Sequence, residues 1–114
     1  MKFARSLPII AAATTWLMLS ACGGEETASE VPLMVLASQP ASHDGQLVTT
    51  QGVVRHLEEP LHYWIEDEQL RRVAVEPDDM IAPHLGETVK VTGRFHYAPE
   101  EGRSLHLQQV ETLE

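Results

Sequence analysis

The chain is poor in cysteine, in aromatic side chains and, beyond its first few residues, in positive charge. Each shortage excludes something. A single cysteine, Cys22, permits no disulfide within one chain and no thiolate zinc cluster. There is no Gly-x-Ser-x-Gly elbow, no phosphate-binding glycine loop and no His-Glu-x-x-His pair, so the common hydrolase, nucleotide and zinc-protease chemistries have no foothold. No apolar run approaches the ~20 residues needed to span a bilayer as a helix. The longest, Leu7 to Leu19, is 13 residues of "LPIIAAATTWLML" behind Lys2 and Arg5. A basic start, a short apolar stretch and small residues after it are the three regions of a signal peptide in order.

The residues that follow, Leu19-Ser20-Ala21-Cys22, resemble the lipobox of bacterial lipoproteins at all four positions. The resemblance implies that residues 1–21 are a signal peptide that is removed, and that the sulfur of Cys22 carries a diacylglyceryl group. Membrane attachment then comes from acyl chains, at about 0.8 kcal/mol per buried methylene. Gly23, standing where an Asp would signal retention at the inner membrane, implies delivery to the periplasmic leaflet of the outer membrane. Residues 22–30 continue as "CGGEETASE", small, polar and acidic, and are expected to form a flexible tether.

Without Lys2 and Arg5 the remaining chain has six basic residues (Arg55, Arg71, Arg72, Lys90, Arg94, Arg103) against 17 acidic ones, a formal charge of −11. Such a surface repels phosphate backbones and attracts cations or basic protein patches, which places nucleic acid at a disadvantage as a partner. It carries six histidines: His43, His56, His62, His84, His96 and His106. With an ordinary titration near pH 6.5, their protonation would bring the charge toward −5 and suggests a response to pH. His56 and His62 flank a turn that also holds Glu58 and Glu59, but no pair has zinc-type spacing, and solvated histidines are the simpler reading. No metal ligand set and no cofactor motif is assigned. The acidic pairs Glu58-Glu59, Asp78-Asp79 and Glu100-Glu101 fall in turns or at a helix start, where solvated carboxylates are ordinary, so none is read as an acid/base pair.

Residues 31–41 open with "VPLMVL", a short helical segment with Pro32 in its first turn and Pro40 beyond its end, expected to cover one end of a core. Asp44-Gly45 marks a turn with a positive-φ glycine. Period-two alternation then predicts a first strand in "QLVTTQGVVRHL", a second in "LHYWIED" and a third in "LRRVAVEP". "DDMIAPHLG" predicts a short helix capped by Asp78 or Asp79, with Met80, Ile81 and Leu85 inward and Gly86 at its end. Two further strands, "ETVKVTGRFHY" and "RSLHLQQVETL", are joined by Ala98 to Gly102; pairing Phe95 with Leu105, and Arg94 with His106, aligns their apolar faces.

Five short strands, each with one apolar face, hide those faces by closing into a barrel. The phrases "DGQLVTTQGVV", "YWIEDE" and "LGETVKVTGRF" resemble the patterns of bacterial OB domains over residues 44–114, and the domain is expected to span 42–114. The expected fold is therefore an all-β, five-stranded OB-fold-like barrel with one short helix between strands three and four, and with Val54, Ile65, Val73, Val91 and Leu107 in the core. The resemblance implies a ligand surface on the outer face of strands two and three. There His62, Trp64, Glu66 and Arg72 are candidate binding residues, with Tyr97 on a rim, and the rims would be Glu58-Glu59-Pro60 and residues 97–103.

Three readings of function follow. The chain is a non-enzymatic, lipid-anchored adaptor for an envelope protein; or a binder of small cationic ligands or metal; or, by analogy of fold alone, an oligonucleotide binder, which the charge disfavours.

Overall fold

The computed structural model describes residues 26–113. The expected signal peptide, Cys22 and the first part of the expected tether lie outside the described residues. A two-residue strand β1 (Ser29–Glu30) is followed by helix α1 (Leu33–Ser38) and a 3-10 turn, Pro40–His43. Then come strands β2 (Leu47–Glu58), β3 (Leu61–Glu66) and β4 (Arg72–Glu76). Helix α2 (Asp78–Ile81) and a second 3-10 turn, Ala82–His84, lead into β5 (Thr88–Ala98) and β6 (Gly102–Thr112).

β2 through β6 form a mostly-β, five-stranded mixed barrel with short helices. The order runs β2-β3-β4-β6-β5, and β5 returns to pair with β2. All pairings around the ring are antiparallel except β4 with β6. Closure depends on β2, whose first half pairs with β5 and whose second half pairs with β3. Val53, at the changeover, stands opposite both Thr88 and Glu66. Gly52 lies beside this changeover and lets the backbones approach closely: a Cβ there would lie 3.0 Å from the Glu66 carbonyl oxygen, the Ile65 Cβ and Leu33 Cδ1. Gly93 works similarly at a bulge between β5 and β6, where a Cβ would come within 2.5 Å of the His106 carbonyl oxygen.

The alternation of the strands delivers the core. Val48, Val54, Ile65, Val73, Val89, Val91, Phe95, Leu105 and Leu107 are buried, and the register pairs Phe95 with Leu105 and Arg94 with His106, as the apolar pattern requires. Leu33 and Leu36 of α1 cover one opening and Ile81 of α2 joins the same core. Gly45 takes φ 86° in the turn that leads to β2.

Three local expectations are corrected. The tether does not run to Glu30: Ser29–Glu30 pairs in parallel with Val48 and Thr49, and Val31 donates its N–H to the Thr49 carbonyl. Backbone pairing of an exposed segment needs no hydrophobic period, so two residues left no mark on the pattern. α2 is preceded by Pro77 in extended conformation, so Asp78 and Asp79 occupy its first turn and neither caps it with a side chain. Leu85 is exposed, because Pro83 turns the chain into a 3-10 conformation and the α-helical facing is lost after Ile81.

Candidate functional site

On the outer surface of β3 and β4, Trp64 stands directly opposite Ala74, with Arg72 one diagonal step away. The Arg72 guanidinium lies over the indole, its central carbon 4.5 Å from the ring centroid. His62 packs beside the same ring at 5.4 Å between centroids, and its Nδ1 is 2.9 Å from the Pro60 carbonyl oxygen. Two residues along β3, Glu66 accepts a 2.9 Å hydrogen bond from Trp64 Nε1 on one oxygen and a 3.2 Å bond from Arg55 Nε on the other. The indole is thereby held in plane from one edge while its outer surface stays half-exposed.

His62, Trp64, Arg72, Ala74, Tyr97, Gly102 and Arg103 line a groove of about 420 Å³, whose remaining wall is Ala37 and Pro40. Arg103 is fixed by donating to the Ala37 carbonyl at 2.9 Å, which ties β6 to the end of α1. Tyr97 packs at the margin of the core, and its N–H is held by Asp44.

The charges are distributed unequally. Four of the six basic side chains are matched with a carboxylate: Arg55 with Glu66, Arg71 with Asp67, Lys90 with Glu30 and Arg94 with Glu26. Among the described residues, Arg72 and Arg103 have no carboxylate within ion-pair distance, and both face the groove. Hydrogen bonding from Trp64, then from Arg55, and the nearby charges of Arg55 and of Arg72, which stands opposite Glu66 in the register, hold the Glu66 carboxyl below its ordinary range despite the opposing effect of burial. Glu26 is lowered, and Arg94 raised, by the two hydrogen bonds between them at 2.8 and 3.0 Å.

Of the five candidate binding residues, His62, Trp64, Arg72 and Tyr97 converge on the groove. Glu66 does not line it but lies beside Trp64 on the same strand face and supports it, with only 9% of its surface exposed. The spacing Trp-x-Glu on one strand face was the available signal for that role. The rim is also corrected. Gly102 and Arg103 contribute to it, whereas Glu58-Glu59-Pro60 stand off at the hairpin tip, and Ala37 and Pro40 take the place assigned to them. The β2–β3 register puts His56 opposite Tyr63 and His62 opposite Leu57, so the two histidines belong to opposite faces of the hairpin. His56 stacks on Tyr63 at 5.5 Å and contacts Glu58 at 3.1 Å. Among the described residues, no group of three or more His, Cys, Asp or Glu comes together to hold a metal ion, and no helix is long and apolar enough to cross a membrane.

With this geometry established, the class of molecule is a small OB-fold-like β-barrel bearing an aromatic and cationic groove on the face of its second and third barrel strands. No family model matches the chain, and no curated protein matches its sequence. In solved structures the barrel is similar to the hypothetical protein ygiW from E. coli, at 15% identity and TM-score 0.52, over 84% of this chain and 100% of that one. It is also similar to a chain assigned as an aspartyl-tRNA synthetase from Leishmania major Friedlin, at 14% identity and TM-score 0.52 over 84% of this chain. This chain spans 23% of the length of that protein. At these identities the likeness concerns the fold.

Proposed function

We propose that this chain is a non-enzymatic binding module of the bacterial envelope. In this reading it is anchored by a lipid on Cys22 in the periplasmic leaflet of the outer membrane and acts as an adaptor that docks an envelope protein in the Trp64 groove. The observation that carries the reading is the groove itself: a half-exposed indole, a tyrosine and the two basic side chains without a carboxylate partner open together onto one concave surface. Tryptophan, tyrosine and arginine are the residues that dominate binding energy at protein interfaces. The lipobox residues Leu19-Ser20-Ala21-Cys22 support the anchor.

A photocrosslinking side chain placed at Ala74, inside the groove, tests the docking in intact cells. The expected result is one discrete adduct with an envelope protein, lost in Trp64→Ala and absent when the crosslinker is placed at the exposed Leu85. Absence of an adduct at Ala74, or the same adducts from both positions, would refute it. For the anchor, acyl incorporation should disappear in Cys22→Ser, and incorporation that survives this change removes the anchor from the reading.

A further inference from the structure

We infer that the groove selects a carboxylate, and that its occupant is an extended peptide segment carrying one acidic side chain or a chain terminus among neutral or basic residues. This rests on the reading of the groove as a protein-docking site and names what it recognises.

The chain as a whole is strongly acidic, so an anion-binding groove is the opposite of what its net charge suggests. Yet ion pairing consumes Arg55, Arg71, Lys90 and Arg94 elsewhere and leaves Arg72 and Arg103 at the groove. Stacking determines what Arg72 has to offer. A guanidinium lying over an indole is attracted through its face, whereas its N–H donors project from its edge. Contact with Trp64 therefore orients Arg72 while leaving that edge for an anion, and Glu66 and Arg55 keep the indole from turning away. Arg103 spends one donor on the Ala37 carbonyl, a bond that positions the group and leaves its other donors available. Forked, pre-positioned guanidinium donors match the two oxygens of a carboxylate.

The setting limits how much anion can be accepted. Two cations within a domain of this acidity suit one or two negative charges. A polyanion would meet repulsion beyond the groove, at Glu100-Glu101 and at Glu76, which is exposed where β4 leaves the groove. A segment in which a carboxylate is flanked by basic residues satisfies both fields: the acidic group enters and its neighbours face the acidic surroundings. A second copy of this chain is disfavoured by the same repulsion.

Panning a random heptapeptide display library on the full chain in detergent micelles tests this. Enriched peptides are expected to share an Asp, a Glu or a free C-terminal carboxylate next to Lys or Arg. A synthetic copy of an enriched peptide should quench the fluorescence of Trp64, the one tryptophan in residues 22–114. Replacing its acidic residue by the amide should weaken binding roughly tenfold or more, as should Arg72→Gln or Arg103→Gln, whereas Lys90→Gln, away from the groove, should leave it unchanged. Unchanged melting temperatures in these variants exclude loss of fold as the cause. Enriched peptides without a carboxylate, or amide copies that bind equally well, overturn the carboxylate and leave groove docking standing. No enrichment, or binding indifferent to Trp64→Ala, overturns the docking reading as well. Sequences matching the chain's own Glu58-Glu59 or Glu100-Glu101 turns, together with dimerisation in ultracentrifugation, would replace the foreign partner with a second copy and so refute the proposal.

Discussion

Trp64 has a hydrogen bond that matters more for what it fixes than for its strength. An indole N–H directed at a buried carboxylate is a charge-assisted bond, and Glu66 is buried enough that losing either of its donors leaves an acceptor poorly served. Glu66→Gln keeps the volume and loses the charge. We expect it to cost roughly 1–3 kcal/mol in urea unfolding and to shift the emission maximum of Trp64, the one tryptophan in residues 22–114. The pH dependence has a definite sign. Because the folded carboxyl titrates below its ordinary value, about 4.3, its stabilising contribution is complete above that value and is lost as pH falls through the lowered one. Trp64 emission should therefore hold constant from pH 7 to about 5 and change below 4, a transition that Glu66→Gln abolishes.

At the scale of elements, the two glycines inside strands mark where backbone meets backbone. Gly93→Ala brings a methyl group against the His106 carbonyl at a bulge, so the strands must part, and a loss of roughly 1–3 kcal/mol is expected in thermal or urea unfolding. Gly52→Ala meets Ile65 Cβ and Leu33 Cδ1 besides a carbonyl, and should loosen α1 as well as the changeover in β2. Leu36, fully buried in α1, offers the complementary test: Leu36→Ala should cost about 2–5 kcal/mol and open the wall of the groove next to Ala37.

These elements show what a linear sequence makes legible. β2, β3, β5 and β6 were readable because their alternation is enforced by a single core, and the same constraint set the Phe95–Leu105 register. β1 was not, because it is held by backbone bonds that any two residues can make. The face of β3 and β4 that carries His62, Trp64 and Arg72 followed from counting by two. That Ala37 and Pro40 close the groove depends on how α1 crosses the barrel, which no local pattern encodes. Arg103 illustrates the same limit. Its meaning comes from the carboxylates that are not near it, and spatial absence cannot be read along a chain.

Taken whole, the barrel fastens the segment that leads into its first helix. Arg94 grips Glu26 through two hydrogen bonds and also donates to the Gly45 carbonyl, and Lys90 meets Glu30 at 3.6 Å, so the chain is ordered before its first helix. Glu26→Gln should raise amide hydrogen exchange at Ser29 to Val31 while leaving the β5–β6 amides protected, a local effect separable from global unfolding. The strong negative charge should act over a longer range. Association with a partner whose surface is basic should slow as salt rises from low ionic strength to about 0.15 M, where the screening length is about 8 Å.

The double duty of β2 also governs how the chain reaches its fold. Leu47 pairs with Arg94 and Gly52 with Val89, partners some forty residues away, whereas Val54 pairs with Ile65 across a tight hairpin. The hairpin is quick to form and the closure is not, since the intervening loop must lose its freedom before β5 can bond to anything. The β2–β3 contacts are therefore expected to form before the β2–β5 contacts, and pulsed amide exchange during refolding should show protection at Val54 to Glu58 earlier than at Leu47 to Gly52.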